Sequence, residues 1–264
     1  MHWLVFLLIV LPIPLVIASI AIKEQRWFKK ILFFYFPRIL RPISHQLKFI
    51  NVYYNKLTPE QRKQFEWRAY YFIESTNIEF RKFRYSPLAN FNSIRYLIAS
   101  VATQMTLFLP EDCFDAFKRI IIYPDTYYSP ATKQYHKGET NPGLGIIVLS
   151  WNSFQHGFED PNDGVNLLVH ELAHALWLEN KLFEYEIFDP IALTAYNEIV
   201  SKAMITISEN HFLRKYAFKN EEEFFAVAVE NFFERSIQFK SELPELYEAM
   251  TLLLGQDPII LNSK

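Results

Sequence analysis

The stretch DGVNLLVHELAHALWLE, residues 163–179, decides the fold. Val165, Leu168, Val169, Leu172, Ala173 and Leu176 recur at i, i+3, i+4 spacing. That predicts a helix over 163–179, with Asp163 as its N-cap before Gly164. Leu167 and Leu178 are apolar as well, so the helix reads as hydrophobic nearly all round, and therefore buried. Opposite the centre of the stripe stand His170 and His174, with Glu171 between them. Two imidazoles at i and i+4 share one face and reach one ion, and the glutamate reaches water bound to that ion. The pattern H-E-x-x-H arises by chance in roughly one chain in a hundred of this length, so its surroundings must be weighed. A buried helix that turns two histidines and a carboxylate away from its packing stripe must aim them at something polar. The alternative is a hydrogen-bonded structural pair with Glu171 bridging to a base.

A catalytic metal site wants three protein ligands and an open position. The candidates for the third ligand are His211, His156, His136 and a carboxylate on a helix predicted near 220–236. On that helix Glu223, Val227, Glu230 and Glu234 line one face and the aromatic residues cover the other. A solvated acidic stripe, with Glu223 as the capping partner of Asn220, is the competing reading.

Further out, Thr58-Pro59-Glu60-Gln61 marks a helix start, with Thr58 as cap and Gln61 at the third position. Residues 94–108 read as a buried helix, 190–211 and 242–254 as further helices, and RIIIY (119–123) and GIIVLSW (145–151) as strands. Residues 124–143 read as a loop. GIIVLSW suggests an edge strand whose free backbone groups, around Gly145, Ile147 and Leu149, pair with an extended peptide. A central strand buried in the core is the other reading.

At the N-terminus, 3–22 is an uncharged run of 20 residues. A helix of that length crosses a bilayer core of about 30 Å. Lys23, Arg26, Lys29 and Lys30 follow it, which places the body in the cytoplasm by the positive-inside rule. A cleaved signal peptide, and hence export, is the alternative. The parse is a membrane anchor at 3–22, a basic and aromatic juxtamembrane linker at 23–44, and one domain from 45 to 264. Of the 264 residues only 6 are glycine, which argues against phosphate-binding loops. The single cysteine, Cys113, excludes an intrachain disulfide and a cysteine-built zinc site. A formal net charge of -2 advertises no nucleic-acid-binding surface.

His170 to His174, then Tyr216, then Glu223-Phe224-Phe225-Ala226 with Glu230, resembles the MtfA (Mlc titration factor A) family of zinc peptidases. Tyr123-Pro124-Asp125, Val148 to Trp151, Asp160 to Gly164 and Leu246 to Pro258 look like other family segments, so the likeness covers roughly residues 50–258. Tyr216 followed by Glu223 is also similar to the pattern in anthrax lethal factor, a gluzincin-type peptidase. The resemblance implies a mainly helical α+β, zincin-like metallopeptidase domain with a small sheet. It implies one zinc ion held by His170, His174 and Glu223, with Glu171 as general base and Tyr216 as oxyanion donor. The implied substrate is a peptide or protein, with aminopeptidase-type activity in the family. The named member binds a transcriptional repressor, so a regulatory protein partner is the other implied role. Where the family carries an aspartate three residues after the second histidine, this chain has Trp177. Glu230 or Glu179 is expected to support the ligands instead, Glu230 foremost.

Overall fold

The computed structural model describes residues 26–27, 29–31, 33, 41–83, 91–130, 132–183, 186–206 and 212–259. The expected anchor at 3–22 lies outside the described residues, as does most of the linker at 23–44. Among the described residues no helix is long and apolar enough to cross a membrane. The chain divides into two compact units, Met1–His45 and Gln46–Lys264. The sheet and the histidine motif belong to the second.

The architecture is α+β and mainly helical. In order come α1 (Arg41–Ile50), α2 (Val52–Lys56), α3 (Pro59–Ser75), β1 (Asn77–Phe80), α4 (Phe91–Thr106), β2 (Arg119–Tyr123), β3 (Tyr127–Ser129), β4 (Gln134–His136), β5 (Gly138–Asn141) and β6 (Ile146–Ser150). Then follow α5 (Trp151–Glu159), α6 (Leu167–Leu182), α7 (Pro190–Thr206), a 3-10 turn (Lys215–Lys219), α8 (Glu221–Glu234), α9 (Ser236–Glu242) and α10 (Pro244–Leu254). Helix α3 starts as its sequence predicts: Thr58 and Gln61 form a reciprocal capping box behind Pro59.

The main sheet has strand order β1-β2-β6-β5. Strands β1, β2 and β6 run parallel, with Ile120 opposite Ile147 and Ile122 opposite Leu149. The last strand, β5, is antiparallel to β6, with Gly138 opposite Leu149 and Thr140 opposite Ile147. Strand β6 therefore has partners on both sides, and Ile147 and Leu149 are buried. Its continuous apolar run is the signature of an interior strand, so the reading of Gly145, Ile147 and Leu149 as a peptide-pairing edge is corrected. Gly145 instead closes a turn at φ 59°, where a Cβ would strike the Ala116 carbonyl oxygen. The outer strand is β5, which arises from the segment expected to be a loop. Strands of three or four residues are too short to show alternation, and among the described residues β3 and β4 pair only with each other.

Helix α6 packs against β5 and β6 and against α8. Leu168, Leu172, Ala175 and Leu176 meet a core that includes Phe224, Phe225, Ala228 and Phe232, all fully buried. Each large apolar side chain so buried contributes about 1.5–3 kcal/mol relative to exposure. The helix begins four residues later than the periodicity predicts. Asp163 Oδ1 accepts the Val165 N–H at 2.8 Å, and Gly164 is left-handed at φ 72°, which a helix cannot contain. Asn166 is the cap instead: its side chain accepts from Val169 N at 3.2 Å and donates to Gly157 O and to Glu234 Oε1 at 3.0 Å. Val165, assigned to the buried stripe, is exposed.

Candidate metal centre and cleft

Helix α6 fixes two ligands through its own pitch. His170 and His174 stand one turn apart with their Nε2 atoms 3.1 Å from each other. The third comes from α8. Asn220 caps that helix by accepting the Glu223 N–H at 2.8 Å, which locks Glu223 into the first turn and projects its carboxylate at the imidazoles. Glu223 Oε2 lies 3.1 Å from His170 Nε2 and 3.3 Å from His174 Nε2. Among the described residues these three form the group able to hold a metal ion. His170 and Glu223 are buried, and His174 is nearly so.

The residues fit an ion. Donor atoms 3.1, 3.1 and 3.3 Å apart form a nearly equilateral triangle. Ligands on a tetrahedral zinc at about 2.0–2.1 Å are separated by roughly 3.3–3.4 Å. The donor chemistry agrees. Glu230 Oε1 lies 2.9 Å from His170 Nδ1, so the Nδ1 proton faces a carboxylate and the Nε2 lone pair points at the triangle. A cation at the centre of the triangle would satisfy all three groups; without one, imidazole protons donated to Glu223 do so. Burial disfavours a charged His170, yet the Glu223 and Glu230 carboxylates outweigh it and push its pKa up to about 9. Burial also opposes charge on Glu223, but hydrogen bonds to His170, His174 and Tyr216 hold that carboxyl well below its usual range.

Glu171 points to β5. Thr140 Oγ1 sits 2.9 Å from both Glu171 Oε2 and Glu171 O. Gly138 makes room for the carboxylate: a Cβ there would overlap Oε1 and fall 2.8 Å from Cδ. Burial raises the Glu171 pKa, with His174 and His170 pulling the other way.

Tyr216 stands on the 3-10 turn, half exposed, and donates to Glu223 Oε1 at 2.6 Å. Lys219 Nζ reaches the same oxygen at 3.4 Å. The stripe read as solvated is thus split: Glu223 and Glu230 turn inward, and Glu234 meets Asn166. Glu179 does not reach the histidines. Its oxygens accept the backbone N–H groups of Phe114 and Ala116 at 2.6 Å each. Trp177 lies among Phe188, Tyr196 and Phe225, and its Nε1 has no hydrogen-bond partner among the described residues. Of the other histidines, His136 lies on β4 beside Thr132 and His156 on α5; both line the cleft but neither joins the triangle, and His211 lies outside the described residues.

His170, Glu171, Glu230 and Gly138 line a cleft of about 520 Å³ bounded by β4, the start of β5, α5, Tyr216 and Arg214. Sequence reasoning missed Gly138, Thr140 and Arg214. Nothing local marks an arginine between a loop and a turn, and the small residues of β5 carry no motif; the one signal was a glycine in a chain that has only 6.

A family model described as glucose-regulated metallo-peptidase M90 matches residues 38–253. An uncharacterized protein of Synechocystis is 23% identical over 232 residues, covering 79% of this chain and 81% of that protein. The Mlc titration factor A of Yersinia pestis is 27% identical over 166 residues, covering 55% of this chain. That match spans 60% of the titration factor's length. Taken with the His-His-Glu triangle, a match over residues 38–253 means that this chain belongs to the glucose-regulated metallo-peptidase M90 family, the family of Mlc titration factor A.

Proposed function

We propose that this protein is a zinc-dependent peptidase of gluzincin type, with a zincin-like domain held at the cytoplasmic face of a membrane by its N-terminal segment. One observation carries the reading: the His170, His174 and Glu223 triangle stands beside a glutamate, Glu171, fixed by a separate strand. A purely structural site has no use for such a base. The anchor rests on the apolar run at 3–22 and the basic residues after it.

His170, His174 and Glu223 would hold the zinc. When bound, it lowers the pKa of water towards about 7 and polarises a carbonyl. Glu171 takes a proton from the attacking water and returns it to the leaving amine. Thr140 keeps the carboxylate on the cleft side while it does so. Tyr216 lines the cleft, and its O–H, turned away from Glu223 Oε1, would donate to the oxygen that gains charge as the carbonyl becomes tetrahedral. Strand β5 lies at the end of the sheet, where its outer backbone groups are positioned to pair with an extended peptide.

The name of the titration factor relatives favours a second reading, a module that binds a regulatory protein with zinc structural. Purified full chain with and without Glu171→Gln separates the two. Equal zinc content with hydrolysis of a varied peptide library reduced at least ~10³-fold supports the peptidase. Zinc bound but no hydrolysis by the unaltered chain leaves the binding module.

A further inference from the structure

We infer that Arg214 is a positioning residue for the metal centre: it holds Glu230 so that Glu230 can hold His170. The inference rests on the metal-binding reading above and deepens it.

Glu230 is one of the most buried charged groups among the described residues, 1% exposed, and it stands on α8 two helical turns after Glu223. A buried carboxylate survives only with partners that satisfy its charge. His170 Nδ1 is one, at 2.9 Å. The other is Arg214, whose Nη2 is 2.8 Å from Oε1 and 2.7 Å from Oε2. The same Nη2 is 3.1 Å from His170 Nδ1. These contacts cannot all be hydrogen bonds at once. With Nε2 of His170 free as a ligand, Nδ1 carries the proton and gives it to Glu230, so the guanidinium serves the carboxylate and not the ring.

Arg214 is itself held. Its backbone carbonyl accepts the Ala217 N–H at the start of the 3-10 turn that carries Tyr216, and its Cζ lies 5.9 Å from the Tyr216 ring centroid. Its Nε is buried without a partner among the described residues, so the side chain is aimed by Glu230 and by packing against Tyr216 and not by a further carboxylate. Helix α6 supplies no alternative support. One turn past His174 its side chains are Trp177, enclosed by aromatics, and Leu178, and Glu179 is taken by the Phe114–Ala116 turn. The line Arg214–Glu230–His170 is therefore the support that the described residues give this ligand. One nitrogen, Nη2, makes both contacts to Glu230, so an ammonium in its place supplies part of the same charge.

The test is metal affinity, read by chelator competition on the full chain in detergent, with zinc itself as the probe. Removal of outer partners of metal ligands typically weakens binding 10–100-fold. Arg214→Met is expected to weaken zinc binding by that factor, and Arg214→Lys to recover part of it. Glu230→Gln should weaken binding comparably. Combining it with Arg214→Met should add little, because both act along one line. Circular dichroism and melting of the metal-free proteins show whether each variant folds. If Met unfolds the chain, the Lys and Gln variants carry the comparison. For peptide hydrolysis at saturating zinc, kcat should fall while KM stays within about twofold. Unchanged zinc affinity in folded Arg214→Met, or full additivity with Glu230→Gln, overturns the inference. Failure of the unaltered chain to bind zinc at one per chain overturns the metal reading itself.

Discussion

Gly138→Ala is the substitution in which stability and catalysis should part company. The new Cβ would overlap Glu171 Oε1 and fall 2.8 Å from Glu171 Cδ and 2.7 Å from Leu167 Cδ1. Ordinary carbon contacts lie near 3.5–4.0 Å, so the carboxyl must retreat by roughly 1 Å. Its bond from Thr140 Oγ1, now 2.9 Å, would then pass the ~3.5 Å limit and be lost. What yields is the tip of a flexible side chain together with a leucine methyl, so folding should lose only about 1–2 kcal/mol. A displacement of that size in a catalytic group costs ~10²-fold in rate, about 2.7 kcal/mol of barrier. Zinc affinity should hold, because the hydrogen bonds of His170, His174 and Glu223 run to one another and to α8 and the 3-10 turn and not to β5. The measurements are kcat on a fluorogenic peptide, zinc stoichiometry and a urea titration. A kcat within threefold of the unaltered chain would refute the role given to β5. A fall in zinc content matching the fall in kcat would show that the site, and not the base, had moved.

Two further outcomes follow from the same structure. Burial pushes Glu179 up to about 7, against backbone hydrogen bonds from Ala116 and Phe114 that pull it down. A carboxyl at 4.5 in the unfolded chain then binds fewer protons than the folded one between these values. Stability should fall as pH rises from about 4.5 to 7, by about 3 kcal/mol for this group. Urea midpoints at pH 5 and 7.5 read that slope, and Glu179→Gln should flatten it; an undiminished slope would exonerate Glu179. Stripping zinc with a strong chelator should lower Tm, and zinc should restore it, since ligand at about 1,000 times Kd stabilises by about 4 kcal/mol. A melting curve indifferent to zinc would contradict the fit of the triangle.

The metal-binding half of the site was open to reading because helix pitch alone brings His170 and His174 together. Glu223 was legible as a ligand only through the resemblance, because its place three residues after the cap Asn220 fitted a solvated stripe equally well. What stayed hidden depends on pairings across the fold. Thr140 and Gly138 matter only because β5 docks on β6 and passes Glu171. The IIVL run of β6 held a usable signal, since unbroken apolar strands are interior ones. The start of α6 was misplaced because the segment from Asp160 to Asn166 offers several side chains able to cap or turn. Asp163 was spent on a turn at Gly164, and only Asn166 also reaches Glu234 on α8. Arg214 has no signature at all before α8 and the 3-10 turn are in place.

Glu179 and Asn166 fasten the two ends of α6, one to the turn before β2 and the other to α5 and α8. The cradle for the ion therefore rides on a beam pinned at both supports, while the β4 bank of the cleft carries the outward-facing Tyr135. Natural variation in what this protein accepts can accumulate on that bank, residue by residue, without disturbing the grip on the metal.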